Sequence, residues 1–194
     1  MKKGEETKQS ILEHGLRLFS SKGYEETSLK DIASCVNIKT PSIYAYFSSK
    51  DELFEKIVDF VIDDYVRFIE HQASTMESLS IKDQLYNLLE KLNKYYYMND
   101  RGVFLKRYGV FPPEKFKEHI FQNNSMVESK IRKLIYTILA AKSEDHKFID
   151  RETIATSFIC LLDGMLFYLM NCSYEEYERR LESTWKVFWK GILE

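Results

Sequence analysis

Lys39, Thr40, Ser42, Tyr44, Tyr46 and Lys50 fall within one stretch, residues 36–53, which reads VNIKTPSIYAYFSSKDEL. They supply two ammonium groups, two phenols and two aliphatic hydroxyls, and no carboxylate stands between Asp31 and Asp51. Groups of these types suit hydrogen bonding to phosphate oxygens and to base edges. The positive character is local. The whole chain carries a net charge of −2, which argues against a nonspecific polybasic binder.

Local signals place these groups on a short helix. Thr40 can cap a helix with its hydroxyl, which puts Pro41 at the first helical position, where its fixed φ helps and its missing N–H costs nothing. Ile43 and Phe47 lie four apart and make one apolar stripe, read as core. Ser42, Tyr44, Ala45 and Tyr46 lie off it and face elsewhere. Ser48-Ser49 ends the helix, and Ser49 with Glu52 forms a capping box for the next one. Upstream, Ser28-Leu-Lys-Asp31 is another helix start. Leu29, Ile32, Ala33 and Val36 give that helix an apolar face, and Asn37 tolerates the left-handed turn that follows. Helix, tight turn and short helix make a helix-turn-helix, whose second helix enters the DNA major groove. A generic helical hairpin fits the same spacing.

The 194 residues are 44% hydrophobic and 30% charged, with seven glycines and three prolines, which predicts an all-α globular protein. The three cysteines, Cys35, Cys160 and Cys172, lack metal spacing and suggest a reducing cytoplasm; Cys35 and Cys160 read as buried apolar fillers. Residues 154–170 are strongly apolar but short for a membrane span, and Asp163 interrupts them. His14, His71, His119 and His146 are scattered. No His-Glu-x-x-His, Cys-x-x-Cys or glycine-rich phosphate loop occurs, so no catalytic residue, metal or cofactor is expected.

The remaining pattern is a series of helices. Residues 7–21 carry Ile11, Leu12, Leu16 and Phe19 at helical spacing, and Gly23 can take φ > 0 and stop them. Lys2, Lys3 and Lys8 lie at or before that start, and Lys8 can reach a phosphate if the helix start faces a duplex. Residues 51–72 form a long helix with more than one apolar face. Residues 81–99 form the next, then 100–102 read as a turn and 103–111 as a short aromatic helix. Pro112-Pro113 breaks the chain, 114–121 is helical, Asn123-Asn124-Ser125 breaks it again, and 126–141 is helical. Short, broken helices rich in aromatics often line a cavity. Residues 150–171 are apolar most of the way round. Ser173 caps a last helix carrying Tyr177, Leu181, Trp185, Phe188, Trp189 and Ile192. Two such helices predict an isologous dimer built as a four-helix bundle.

Residues 7–53 resemble the DNA-binding domain of TetR-family transcriptional regulators. The matching positions are Ile11, Leu12, Leu16, Phe19, Gly23-Tyr24, Thr27, Ser28, Ile32, Ala33, Val36, Ile38, Ser42, Ile43, Tyr44, Phe47, Lys50 and Leu53. The Ile-Tyr-x-x-Phe-x-x-Lys run is the most specific of them, and the resemblance covers about a quarter of the chain. Gly15 stands where the family usually has alanine, and Asn37 and Pro41 where it often has glycine. The resemblance implies a DNA-binding domain over 1–50 and a ligand-binding and dimerisation domain over 51–194. It implies a homodimeric, ligand-released repressor of a palindromic double-stranded DNA operator, cytoplasmic and not membrane-bound. Thr27, Ser28, Tyr44 and Lys50 would hold phosphates, with Lys8 beside them. Lys39, Thr40, Pro41, Ser42 and Tyr46 would approach bases. A small apolar or aromatic effector is expected between residues 51–72 and 81–141, lined by Tyr95, Phe104, Arg107, Tyr108, Phe111 and Phe167. The alternatives are a helical protein-interaction module without DNA binding and an enzyme.

Overall fold

Helix α1 (Lys3–Lys22) starts four residues before the apolar repeat predicts and buries Ile11, Leu16 and Phe19 completely or nearly so. It stops where Gly23 takes φ +99°, its N–H still donating to Phe19 O at 3.0 Å. The computed structural model describes residues 3–75, 78–140 and 147–194. Lys2, His146 and Ala141, the expected last residue of the 126–141 helix, lie outside them. Within the described residues the regular structure is helical, apart from one isolated antiparallel bridge between Phe148 and Leu193.

The chain divides into two compact units. The first comprises Met1–Asp64 and Met98–Asn124, the second Tyr65–Tyr97 and Ser125–Glu194. Helix α4 (Lys50–Thr75) and helix α7 (Lys117–Ala140) run through both.

In the first unit, α1 and α4 meet at Gly15, where an added Cβ would stand 2.8 Å from the Ile57 Cδ1 methyl. Helices α2 (Leu29–Val36) and α3 (Thr40–Ile43) follow α1. Helix α6 (Asp100–Val110) packs on α1. The turn expected over 100–102 is its first helical turn, because the Asn99 side chain accepts the Gly102 N–H at 2.8 Å and caps it. A 3-10 turn, Glu114–Phe116, leads from the prolines into α7.

Helix α7 corrects the expected break at Asn123-Asn124-Ser125: the backbone continues without interruption. Both amides find work inside the fold, Asn123 donating to His119 O at 3.1 Å and Asn124 to Gly109 O at 3.3 Å. Asparagine is only a few tenths of a kcal/mol poorer than average as a helix former, about 0.7 below alanine. Satisfied side chains readily outweigh that.

In the second unit, helix α5 (Ile81–Met98) buries Leu85, Leu88, Leu89 and Leu92. Helix α8 (Arg151–Asn171), capped by Asp150, buries Ile154, Ala155, Phe158, Leu162, Met165 and Leu169. It is long and apolar enough to cross a membrane by composition, yet this face is the core of the unit. Helix α9 (Tyr174–Gly191), capped by Ser173, buries Tyr177, Leu181, Trp185 and Trp189. The opposite stripe of α8 exposes Cys160, Gly164, Phe167 and Tyr168. Cys35 is exposed as well, so neither cysteine read as an apolar filler is one.

Gly23 is under two constraints, since an added Cβ would also lie 2.6 Å from the Arg107 guanidinium. Gly23→Ala should therefore cost about 1–3 kcal/mol in urea denaturation. Asn37 also has φ > 0, at 58°, but sits in open left-handed geometry, so Asn37→Gly should change stability by only a few tenths of a kcal/mol.

Candidate nucleic-acid interface

Helix α2 begins with a complete capping box. The Ser28 hydroxyl accepts the Asp31 N–H at 3.1 Å, and the Asp31 carboxylate accepts the Ser28 N–H at 3.0 Å and its hydroxyl at 2.7 Å. The Ser28 hydroxyl and N–H hold the Asp31 carboxyl below its ordinary pKa. Ile32 and Ala33 face inward. Asn37, with φ 58° and ψ 44°, then reverses the chain, and Ile38 N–H closes back on Ala33 O at 3.0 Å.

Helix α3 starts one residue earlier than expected. Lys39 occupies the cap, Thr40 is already helical, and no side chain caps the turn. Pro41 still lies in the first turn, where its missing donor costs nothing. The helical path runs on to Phe47, whose N–H donates to Ile43 O at 3.0 Å. Ile43 and Phe47 are the buried stripe, as the sequence predicts. Lys39, Pro41, Ser42 and Tyr44 are exposed, Tyr44 at 57%, and Thr40 and Tyr46 are half-buried beside them. The ammonium of Lys8 lies 5.7 Å from the centre of the Phe47 ring, so α1 contributes a cation next to this surface.

Two expected contacts change. Ser49 caps α4 by accepting the Glu52 N–H at 3.1 Å, but the Glu52 carboxylate reaches one residue further, to the Ser48 N–H at 2.6 Å and hydroxyl at 2.5 Å. Those Ser48 donors hold the Glu52 carboxyl below its ordinary pKa. Thr27 does not join the exposed surface. It is 1% exposed, and its hydroxyl donates to Gly23 O at 2.7 Å and Leu18 O at 3.3 Å, tying down the carboxyl end of α1. Lys50 does reach the surface edge. Its ammonium lies 3.0 Å from Tyr24 O, 3.5 Å from Glu25 O and 4.2 Å from the centre of the Tyr24 ring.

The six residues expected to line an effector cavity are not brought together within either unit. Phe104 and Tyr108 are buried in the first unit against Phe54. Tyr108 also donates to Phe19 O at 2.9 Å. Arg107 donates to Ser20 O at 3.0 Å, Ser21 O at 3.4 Å and Lys22 O at 3.5 Å, so it satisfies carbonyls at the end of α1. Phe111 is 82% exposed. In the second unit, Tyr95 is buried among Tyr65, Phe68 and Tyr96, and Phe167 is 59% exposed. The docking of α6 on α1 leaves no mark in the local sequence, because the partners are more than 80 residues apart.

A short reading helix, a left-handed turn and buried anchors at Ile43 and Phe47 are on the page together, and residues 11–57 match the model of bacterial regulatory proteins, tetR family. Residues 11–57 are a TetR-family DNA-binding domain. The chain is a DNA-binding transcriptional regulator. The biofilm operon icaADBC HTH-type negative transcriptional regulator IcaR of Staphylococcus epidermidis is 26% identical over 164 residues, 82% of each chain. IcaR of Staphylococcus aureus strain Newman is 40% identical over 82 residues, 42% of this chain and 43% of that protein. Among solved structures, a TetR transcription regulator from Haloarcula marismortui superposes with a TM-score of 0.74 at 21% identity, covering 98% of this chain and 100% of that one. The transcriptional regulator FadR from Bacillus subtilis, in complex with stearoyl-CoA, gives 0.71 at 13% identity, covering 95% of this chain and 98% of that one. At these identities the structures share the TetR-family fold.

The burial of Thr27 separates it from its exposed neighbours. Thr27→Val should lower stability by about 1–2 kcal/mol through the lost hydrogen bonds while leaving the salt dependence of DNA binding unchanged. Tyr44→Phe, which keeps the ring and removes an exposed hydroxyl, should do the reverse: unchanged melting and weaker binding in fluorescence anisotropy.

Proposed function

We propose that this regulator is a TetR-family repressor that holds a palindromic operator as a cytoplasmic homodimer and is released by a small apolar or aromatic effector. The observation that carries the reading is the polar face of α3, exposed while its apolar stripe is buried. Residues 1–50 are the DNA-binding domain of this reading, and 51–194 the effector-binding and dimerisation domain. Lys39, Thr40, Pro41, Ser42 and Tyr46 approach base edges: Lys39 suits guanine, and Thr40 or Pro41 a thymine methyl. Ser28, Tyr44, Lys50 and Lys8 hold phosphates. The name of the IcaR relatives, negative regulators, supports repression.

The outward stripe of α8 supports dimerisation. Cys160 and Gly164 are small and four apart, so a second helix can approach closely, and Phe167 and Tyr168 extend the apolar surface. Val187 on α9 is 73% exposed. Support for an effector comes from the second unit, where Asn93 Oδ1 is buried with no hydrogen-bond partner among the described residues. Orphaned polar atoms in an apolar bundle are groups a ligand can satisfy. The FadR structure shows a neighbour of this fold in complex with stearoyl-CoA, a ligand with a long apolar acyl chain on a charged head.

The DNA reading is tested by anisotropy with a labelled duplex taken from upstream of the protein's own gene. Lys50→Ala should weaken binding and reduce the log–log salt slope by about one; Lys39→Ala should instead narrow the difference between this duplex and a scrambled one. A wild-type salt slope for Lys50→Ala would remove it as a phosphate contact.

The dimer is tested by sedimentation. Phe167→Glu and Val187→Glu should give folded monomers, because both side chains point outward. Trp189→Glu, on the apolar stripe but 8% exposed, should instead lose several kcal/mol of stability.

The switch is a linkage statement. Two reading helices fit adjacent major grooves only when about 34–36 Å apart. An effector that favours another spacing must bind DNA-bound protein more weakly, by the same factor by which it weakens DNA. Calorimetric titration of a panel of apolar and aromatic compounds, with and without saturating operator, should show that difference. Equal affinity in both states would refute release.

A further inference from the structure

We infer that Lys115 is a positioning residue for DNA binding, acting on Lys50 by neutralising Asp51 beside the ring of Tyr24. The inference rests on the reading above, in which Lys50 holds a phosphate.

Tyr24 is the common support. Its ring is 4% exposed and is stacked 5.7 Å from Phe19, with Phe54 and Phe116 edge-on at 5.1 Å each. It cannot move without moving that packing. Two ammonium groups lie over it, Lys50 and Lys115, each 4.2 Å from the ring centre. Lys50 opens α4, and Lys115 comes from the 3-10 turn more than 60 residues later. Two like charges against one ring repel unless each has its own acceptors. Lys50 has the carbonyls of Tyr24 and Glu25, at 3.0 and 3.5 Å. Lys115 has the Tyr24 hydroxyl at 2.7 Å and the Asp51 carboxylate at 2.9 Å, and the Tyr24 hydroxyl itself donates to Asp51.

The arrangement fixes the start of α4 from both sides. Lys50 and Asp51 are consecutive residues, and each is bound to Tyr24. Lys115 completes the ring of contacts by neutralising Asp51, which would otherwise offer Lys50 a competing carboxylate. Tyr24 and Lys115 accordingly hold the Asp51 carboxyl below its ordinary pKa. With Lys115 in place, the Lys50 ammonium stays on the carbonyls at the edge of the DNA-facing surface. Without it, Asp51 keeps the Tyr24 hydroxyl but loses its counter-charge beside Lys50, and it both attracts that ammonium and repels phosphate.

The Lys115–Asp51 pair is about half exposed, with side-chain exposures of 44% and 52%. Pairs of this kind add little to stability. Lys115→Met should therefore leave the fold intact and show its effect in binding.

The experiment is a double-mutant cycle on the full chain, read by anisotropy with the labelled upstream duplex across a salt series. Lys115→Met should weaken binding about fivefold to tenfold and reduce the salt slope by no more than Lys50→Met does, and Lys115→Arg should restore most of it. In the Lys50→Met background the same Lys115→Met change should have almost no further effect. A further drop in slope of about one when Lys115→Met is added to Lys50→Met would make Lys115 a phosphate contact itself and overturn the positioning role. So would wild-type affinity for Lys115→Met, or an undiminished effect in the Lys50→Met background. If Lys50→Met alone leaves both affinity and slope unchanged, it is the phosphate role of Lys50 that fails. Asp51→Asn guards against a general loss of structure: with the competing charge removed it should recover binding in the Lys115→Met chain, which a misfolded protein cannot do.

Discussion

Phe54 is the residue on which the first unit depends. Its ring meets Phe19 and Tyr24 from α1 and its turn, Phe104 and Tyr108 from α6, and Phe116 from the 3-10 turn, with centroid separations between 4.5 and 5.6 Å. Fully burying one such side chain stabilises by about 1.5–3 kcal/mol, and favourable ring pairs add about 0.5–1.5 kcal/mol each. The Arg17–Asp100 ion pair also joins α1 to α6, but both side chains are about 60% exposed. Such a pair contributes at most about 1 kcal/mol. The aromatic cluster, not the surface charges, therefore attaches residues 98–124 to the helix-turn-helix.

That attachment explains how polar detail is set at the reading surface. The three-helix arrangement leaves carbonyls unsatisfied at the end of α1, as every helix does. They are met from inside by the Thr27 hydroxyl and from α6 by Arg107 and Tyr108. A segment that packs as core thus also terminates the first helix. The same segment carries Lys115 to Asp51 and Tyr24. Displacing α6 would disturb a helix end, a ring stack and the start of α4 together, which is the kind of discrete rearrangement that close-packed structure permits.

The surface chemistry is economical in charge. Where Asp31 and Glu52 occur near the reading unit, each is engaged with a serine at a helix start. Asp51 is held by Tyr24 and Lys115. These carboxylates sit at the positive ends of helices, where they are stabilising. They leave Lys8, Lys39 and Lys50 to set the local potential. A chain of net charge −2 can thereby present a positive edge to DNA.

Much of this was legible in the sequence because its causes are local. A capping serine, a left-handed asparagine, an early proline and an apolar pair four apart each act within one helical turn, so residues 28–50 could be placed by spacing. The exposed face of α3 followed from the buried one. The errors have the opposite character. Asn123-Asn124-Ser125 read as a break because helix propensity is weak, and only the fold supplies Gly109 O to accept the Asn124 amide. Thr27 read as a phosphate contact because a hydroxyl near a helix start looks the same whether it faces solvent or the end of α1. Phe104, Arg107 and Tyr108 read as a cavity wall because aromatics with an arginine are equally consistent with a core that caps a neighbouring helix. The amino-acid sequence determined the helix-turn-helix, the exposed face of its second helix and the all-helical class. Tertiary structure decided which unit residues 98–124 join and what Tyr24 supports, because contacts across 60 to 90 residues depend on chain closure and packing that no local pattern encodes.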